Sequence, residues 1–164
     1  MRFADRPTTE TEVHVAAPPA AVWPLVTEIM MPARCGTELQ EARWVDADGP
    51  RLGARFTGRN FHPARGEWET TSTVIDLVPE RSFAWAVGDP DVPSAVWRLE
   101  LAPEGDGTRL RYWAQMGPGP SGLTPLIEQM PDKEEKIIAR RLDEWQRNMT
   151  ATVTGIKTEV EGPR

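Results

Sequence analysis

Ile138, Leu142, Trp145, Met149, Val153, Ile156 and Val160 recur every three or four residues near the C-terminal end of this chain. Arg140, Arg141, Glu144, Arg147 and Lys157 fall between them. That period puts an apolar stripe on one face of an α-helix and assigns the charges to the other. At 1.5 Å per residue the helix is roughly 40 Å long. Gly155 within it costs about 1 kcal/mol relative to alanine. A separate piece precedes it, with Thr124 as a cap and Pro125 in the first turn. Pro131 interrupts that piece, and the run from Asp132 to Glu135 restarts the helix with acids near its N-terminus. The N-terminal end is therefore the expected movable gate. An apolar stripe of this length must be covered by something wide.

The rest of the chain supplies the cover. Glu12 to Ala16 alternates as a strand, and Ala17-Pro18-Pro19 stops it. Val22, Trp23, Leu25, Val26 and Ile29 follow at helical spacing between Ala20 and Met30, and a second short helical piece spans Pro32 to Leu39. Six strands are then expected, at residues 41–46, 51–59, 67–77, 82–87, 95–102 and 108–116. Short turns such as Asp48-Gly49-Pro50 and Glu104-Gly105-Asp106-Gly107 separate them. With no helices between them, these strands must pair as an antiparallel meander, because parallel pairing needs long crossovers. The expected architecture is α+β: a curved antiparallel sheet of about seven strands wrapped around the long C-terminal helix, with two short helices after strand 1. One helix cannot cover a wide sheet. The sheet must bend, and space is left at one end as a cavity.

Composition narrows the function. A chain of 164 residues is about one domain, taken as 1–164, with residues 1–10 expected to be flexible. A net charge of −6 argues against a nucleic-acid partner, since phosphate binding needs a basic surface. The single cysteine, Cys35, excludes an internal disulfide and a cysteine-based metal cluster. No metal site or cofactor is expected. The N-terminus lacks an apolar h-region, and no apolar run is long enough for a membrane helix, so the expected location is the cytoplasm. Seven tryptophans against one tyrosine point to a large or incompletely filled core.

The stretch from Val13 to Trp23, the run Gly53-Ala54-Arg55-Phe56-Thr57-Gly58-Arg59-Asn60, and Trp68 followed by Thr70 to Val74, Pro79 and Phe83-Ala84-Trp85 resemble one known family. It is the polyketide cyclase/dehydrase-like branch of the SRPBCC, or START and Bet v 1-like, superfamily. The likeness spans residues 11 to 158 and implies the helix-grip fold. It also implies a cavity for apolar ligands such as lipids, steroids or polyketides. No catalytic motif of a characterised cyclase is present.

The expected cavity lining combines rings and aliphatic side chains. The sheet contributes Phe56, Trp68, Trp85, Trp97, Leu99 and Tyr112, with Ala114 and Met116 on the face of Tyr112. The C-terminal segment contributes Met130, Ile138, Leu142 and Trp145. Tyr112 is the expected polar contact, because a buried phenol needs a partner and a ligand carbonyl can be one. His62, in the loop before the long strand, is a weaker acid–base candidate, with an imidazole that titrates near neutrality. His14 is expected to face solvent, as are Arg55 and Arg59. Asn60 is read equally as a ligand donor or a turn cap. Gly58 and Gly66 are read as turn glycines.

The leading expectation is a binding protein for an apolar or aromatic small molecule, acting as a monomer or homodimer. One alternative is a cyclase that folds a poly-β-ketone in the cavity and assists an aldol step with Tyr112 or His62. Another is a protein-interaction module of the co-chaperone type. An enzyme needs at least two convergent titratable groups in the cavity, whereas an interaction module needs a filled core and an exposed apolar patch.

Overall fold

The computed structural model describes residues 1–162. Seven strands form one antiparallel sheet in the order β1-β7-β6-β5-β4-β3-β2. They are β1 (Thr8–Val15), β2 (Leu39–Trp44), β3 (Arg55–His62), β4 (Gly66–Val78), β5 (Ser82–Val87), β6 (Ala95–Glu104) and β7 (Gly107–Met116). Strands β2 to β7 follow one another as neighbours, as short turns require. Only β1 makes a long-range pairing, against β7, from Thr8↔Gln115 to Val15↔Thr108.

The helices are α1 (Pro19–Val26), α2 (Met31–Cys35), α3 (Thr124–Gln129) and α4 (Glu134–Glu161). A 3-10 turn at Pro131–Lys133 joins α3 to α4. Pro19 opens α1 in the first turn, where no amide hydrogen bond is lost. The 28-residue α4 lies in the curve of the sheet, with Ile138, Trp145, Met149, Val153 and Ile156 buried. This is the helix-grip fold.

Strand alternation decides which side chains face the helix. On β7, Leu110, Tyr112, Ala114 and Met116 are buried while Arg109 is exposed. Adjacent strands stack these inward positions in rows. One row runs Phe83↔Leu99↔Tyr112 across β5, β6 and β7, and a second runs Val74↔Trp85↔Trp97↔Ala114. A register shift between Val74 and Asp76 turns Asp76 outward to meet Arg98 at 2.6 Å and Ser82 at 2.6 Å.

The clearest departures from the sequence expectation lie at the N-terminus and in β3. Residues 1–10 are structured: Phe3–Asp5 forms a 3-10 turn and Thr8–Glu10 already pairs in β1. The Phe3 amide donates to Glu134 at 2.8 Å, and Glu10 pairs with Arg111, so polar side chains anchor this segment. β3 begins at Arg55 and extends to His62, because Gly53 takes a positive φ of 83° that ends the preceding turn. Gly58 consequently lies inside β3 rather than in a turn. Gly66, at φ 78°, does turn the chain into β4.

Candidate functional site

The grip of sheet on helix is incomplete, and a cavity of about 300 Å³ remains between them. A row of aromatic rings runs along its wall. Trp44 packs edge-on to Phe56 at 5.4 Å between centroids, and Phe56 packs on Trp85 at 5.8 Å. Trp85 leads to Tyr112 at 6.3 Å, Tyr112 to Trp97 at 5.9 Å, and Trp97 to Trp145 of α4 at 4.6 Å. The rings thus run unbroken from edge strand β2 to the gripped helix. Helical period explains what α4 contributes. Arg141, Trp145, Asn148, Met149, Thr152 and Ile156 all border the cavity, as one face of a 3.6-residue repeat should.

Of the expected lining residues, Phe56, Trp68, Trp85 and Trp97 border the cavity, as do Leu99, Tyr112, Met116 and Trp145. Four do not. Ala114 is completely buried in the packed core, with no side chain long enough to reach past Trp97 beside it. Ile138 lies on the face of Trp145 but about 10 Å further along the axis, where the core is filled. Leu142 is turned about 60° from Trp145, on the opposite flank from Asn148, and packs beside the core. Met130 ends α3 and never joins the α4 face; it also packs against the core.

Tyr112 is 3% exposed. Among the described residues its hydroxyl has no hydrogen-bond partner, and it is not sealed within the protein. It faces the cavity as an unused donor and acceptor. Burial pushes its pKa far above the usual tyrosine value, so the phenol stays neutral.

His62 lies outside this lining. Its Nε2 is 2.7 Å from Glu144 Oε2, and its Nδ1 accepts the Ala64 amide at 3.0 Å. With Nδ1 accepting, Nε2 carries the proton and donates to Glu144. No lone pair remains for base catalysis. The ring instead clips the β3–β4 turn to α4. His14 faces solvent and meets Glu104 at 2.8 Å. Arg55 and Arg59 are also outward, paired with Asp46 and Glu41. Asn60 is buried on the cavity wall and donates to Gly58 O and to Thr70 Oγ1, at 3.3 and 3.4 Å.

The largest departure concerns polar groups. Arg141 was expected on the solvent face of α4 but is only 7% exposed. Its Nη1 and Nη2 donate to the two Glu38 oxygens at 2.6 and 2.9 Å, and Nη1 also reaches Glu144 at 3.2 Å. Burial alone disfavours the cation, but these two carboxylates outweigh it and raise the Arg141 pKa. Glu144 shows the converse balance. Burial raises it, and His62 and Arg141 more than compensate, leaving its pKa lowered. The spacing did carry a signal, since Arg141 stands four residues before Trp145 and shares its face. Asn148 and Thr152, three and seven residues after Trp145, carried the same signal, whereas Glu38 and Arg65 border the cavity from outside α4 and had none.

A curved sheet around a helix, with a ring-lined void between them, defines a helix-grip cavity protein. The chain matches the family described as polyketide cyclase / dehydrase and lipid transport over residues 6–161, and it belongs to that family. A polyketide-cyclase-like protein from Corynebacterium glutamicum is 32% identical, with 94% of this chain and 91% of that one covered and a TM-score of 0.63. The aromatase/cyclase ZhuI from Streptomyces sp. R1128 superposes with a TM-score of 0.70 at 19% identity, covering 94% and 93%. Ara h 8.0201 shares the fold at a TM-score of 0.61 and 11% identity, covering 94% and 97%. No curated protein matches the chain. Among the described residues, no helix is long and apolar enough to cross a membrane.

Proposed function

We propose that the protein binds an apolar or aromatic small molecule between the sheet and α4, with a hydrogen-bond acceptor of that molecule placed against Tyr112. The observation that carries this reading is the unpartnered Tyr112 hydroxyl at a cavity wall of rings. The hydroxyl is open to the void and not sealed in the core, so a ligand carbonyl can take the hydrogen bond that the protein leaves unused. The family's description, which includes lipid transport, supports the same reading.

Cyclase chemistry is the second reading, favoured by that family description. It needs two convergent acid–base groups. Tyr112 is one, held neutral by its surroundings. His62 is occupied by Glu144 and Ala64, and the charged pair of Arg141 and Glu38 is mutually satisfied. Binding therefore accounts for the cavity with fewer demands than turnover. A co-chaperone-like interaction module needs a filled core, which the void argues against.

Titration of the native tryptophan fluorescence with a panel of polycyclic aromatic compounds tests the reading, beside native mass spectrometry of protein purified from its own host. Saturable quenching or a co-purifying apolar ligand is expected. Failure of both overturns the proposal.

A further inference from the structure

The hairpin between β3 and β4 carries Arg65 to the rim of the cavity, where the residue is exposed and also forms part of the lining. Its guanidinium carbon lies 4.1 Å from the centre of the Trp68 ring. Among the described residues its guanidinium makes no hydrogen bond or ion pair. Stacking uses the flat face of a guanidinium and leaves the in-plane N–H fork free. The contrast with Arg141 is direct, since that side chain is held by Glu38 and Glu144.

The fork is held in place from both sides. His62 ties the turn to Glu144 of α4 at 2.7 Å and accepts the Ala64 amide next to Arg65. Across the rim the guanidinium lies against Gly122, where a Cβ would collide with it. Burial, and then the charge of Arg141, disfavour the Arg65 cation, and the attraction of Glu38 and Glu144 does not offset them. An anion supplied from outside would.

We propose that Arg65 anchors a carboxylate, and that the ligand is an apolar or aromatic monocarboxylic acid with its body among the rings and its head at this fork. Planar two-point pairing favours a carboxylate. Glu28 and Glu38 also border the cavity and Glu144 lies close by, so a second negative charge on the head would be repelled. The proposal rests on the cavity being a ligand site, and its test separates the two.

Isothermal titration at pH 7 with 2-naphthylacetic acid and with 2-naphthylacetamide supplies a matched pair differing in charge. The acid is expected to bind about tenfold tighter than the amide, the scale of one charge-assisted hydrogen bond, with the preference shrinking as salt is added. Arg65→Gln should bring the two affinities to near equality. Arg65→Lys should retain part of the preference, because the charge survives without the fork. Amide binding with no preference for the acid overturns the carboxylate anchor and leaves the cavity reading standing. A preference that survives Arg65→Gln also overturns the anchor. Binding of neither compound overturns the carboxylate anchor, and the cavity reading is then decided by the fluorescence panel and native mass spectrometry.

Discussion

Trp97 on β6 and Trp145 on α4 pack with ring centroids 4.6 Å apart and planes inclined at 45°. This is the contact through which the sheet's aromatic row reaches the helix, and both rings also border the cavity. Trp145→Ala should therefore destabilise the fold by about 3 kcal/mol, the low end for a buried tryptophan, because part of the ring already faces empty space. Trp145→Phe should cost less than half as much. Urea unfolding gives both values, and a loss below 1 kcal/mol for alanine would deny the contact a structural role.

Tyr112→Phe separates stability from binding. The hydroxyl has no internal partner, so its removal should change unfolding free energy by less than about 0.5 kcal/mol in either direction. Affinity for an acceptor-bearing polycycle should fall roughly fivefold to tenfold over the same substitution. A large loss of stability with unchanged affinity would place the hydroxyl in an internal bond instead.

Glu144 makes stability depend on acid. Its pKa in the fold lies below the ordinary 4.5: burial raises it, but the His62 and Arg141 contacts prevail. The stabilisation is complete above the unfolded-state value and is lost as pH falls through the lower folded-state value. Unfolding free energy should decline below about pH 5, and Glu144→Gln should flatten part of that decline. Asp76, lowered by Ser82 and Arg98, supplies a further part that Glu144→Gln leaves intact. An unchanged pH profile in Glu144→Gln would contradict the assignment.

Gly155 breaks the usual helix rule for a packing reason. A Cβ at this position would collide with Cys35 Sγ of α2. Gly155→Ala should lower stability by about 1 kcal/mol despite alanine's better helix propensity. In a Cys35→Ala background the same change should stabilise by about 0.5–1 kcal/mol. Thermal unfolding of the four-protein cycle reads the reversal of sign.

The four cavity candidates that fall outside the lining show where pattern reading stops. Leu142 and Trp145 satisfy the same apolar period, yet only Trp145 reaches the void. A period locates a face to within a turn; it does not say which part of that face meets a packed core. Arg141 exposes the opposite limit. Its charge suggested solvent, while its position four residues from Trp145 pointed inward, and Glu38 decided between them. Glu38 lies 103 residues away in sequence, so local pattern gave no sign of the partner.

Hydrophobic periodicity by itself determined the long helix, the meander of strands, and hence a sheet that must curve around α4. Those features follow from local spacing, which a single sequence carries completely. Tertiary structure alone decided the rim. Arg141 is neutralised by Glu38 and His62 is clipped to Glu144, both through contacts between elements distant in the chain, and Arg65 is left free over Trp68. The strength of a charge or a hydrogen bond depends on what stands opposite it, and that neighbour exists only once the sheet has closed on the helix.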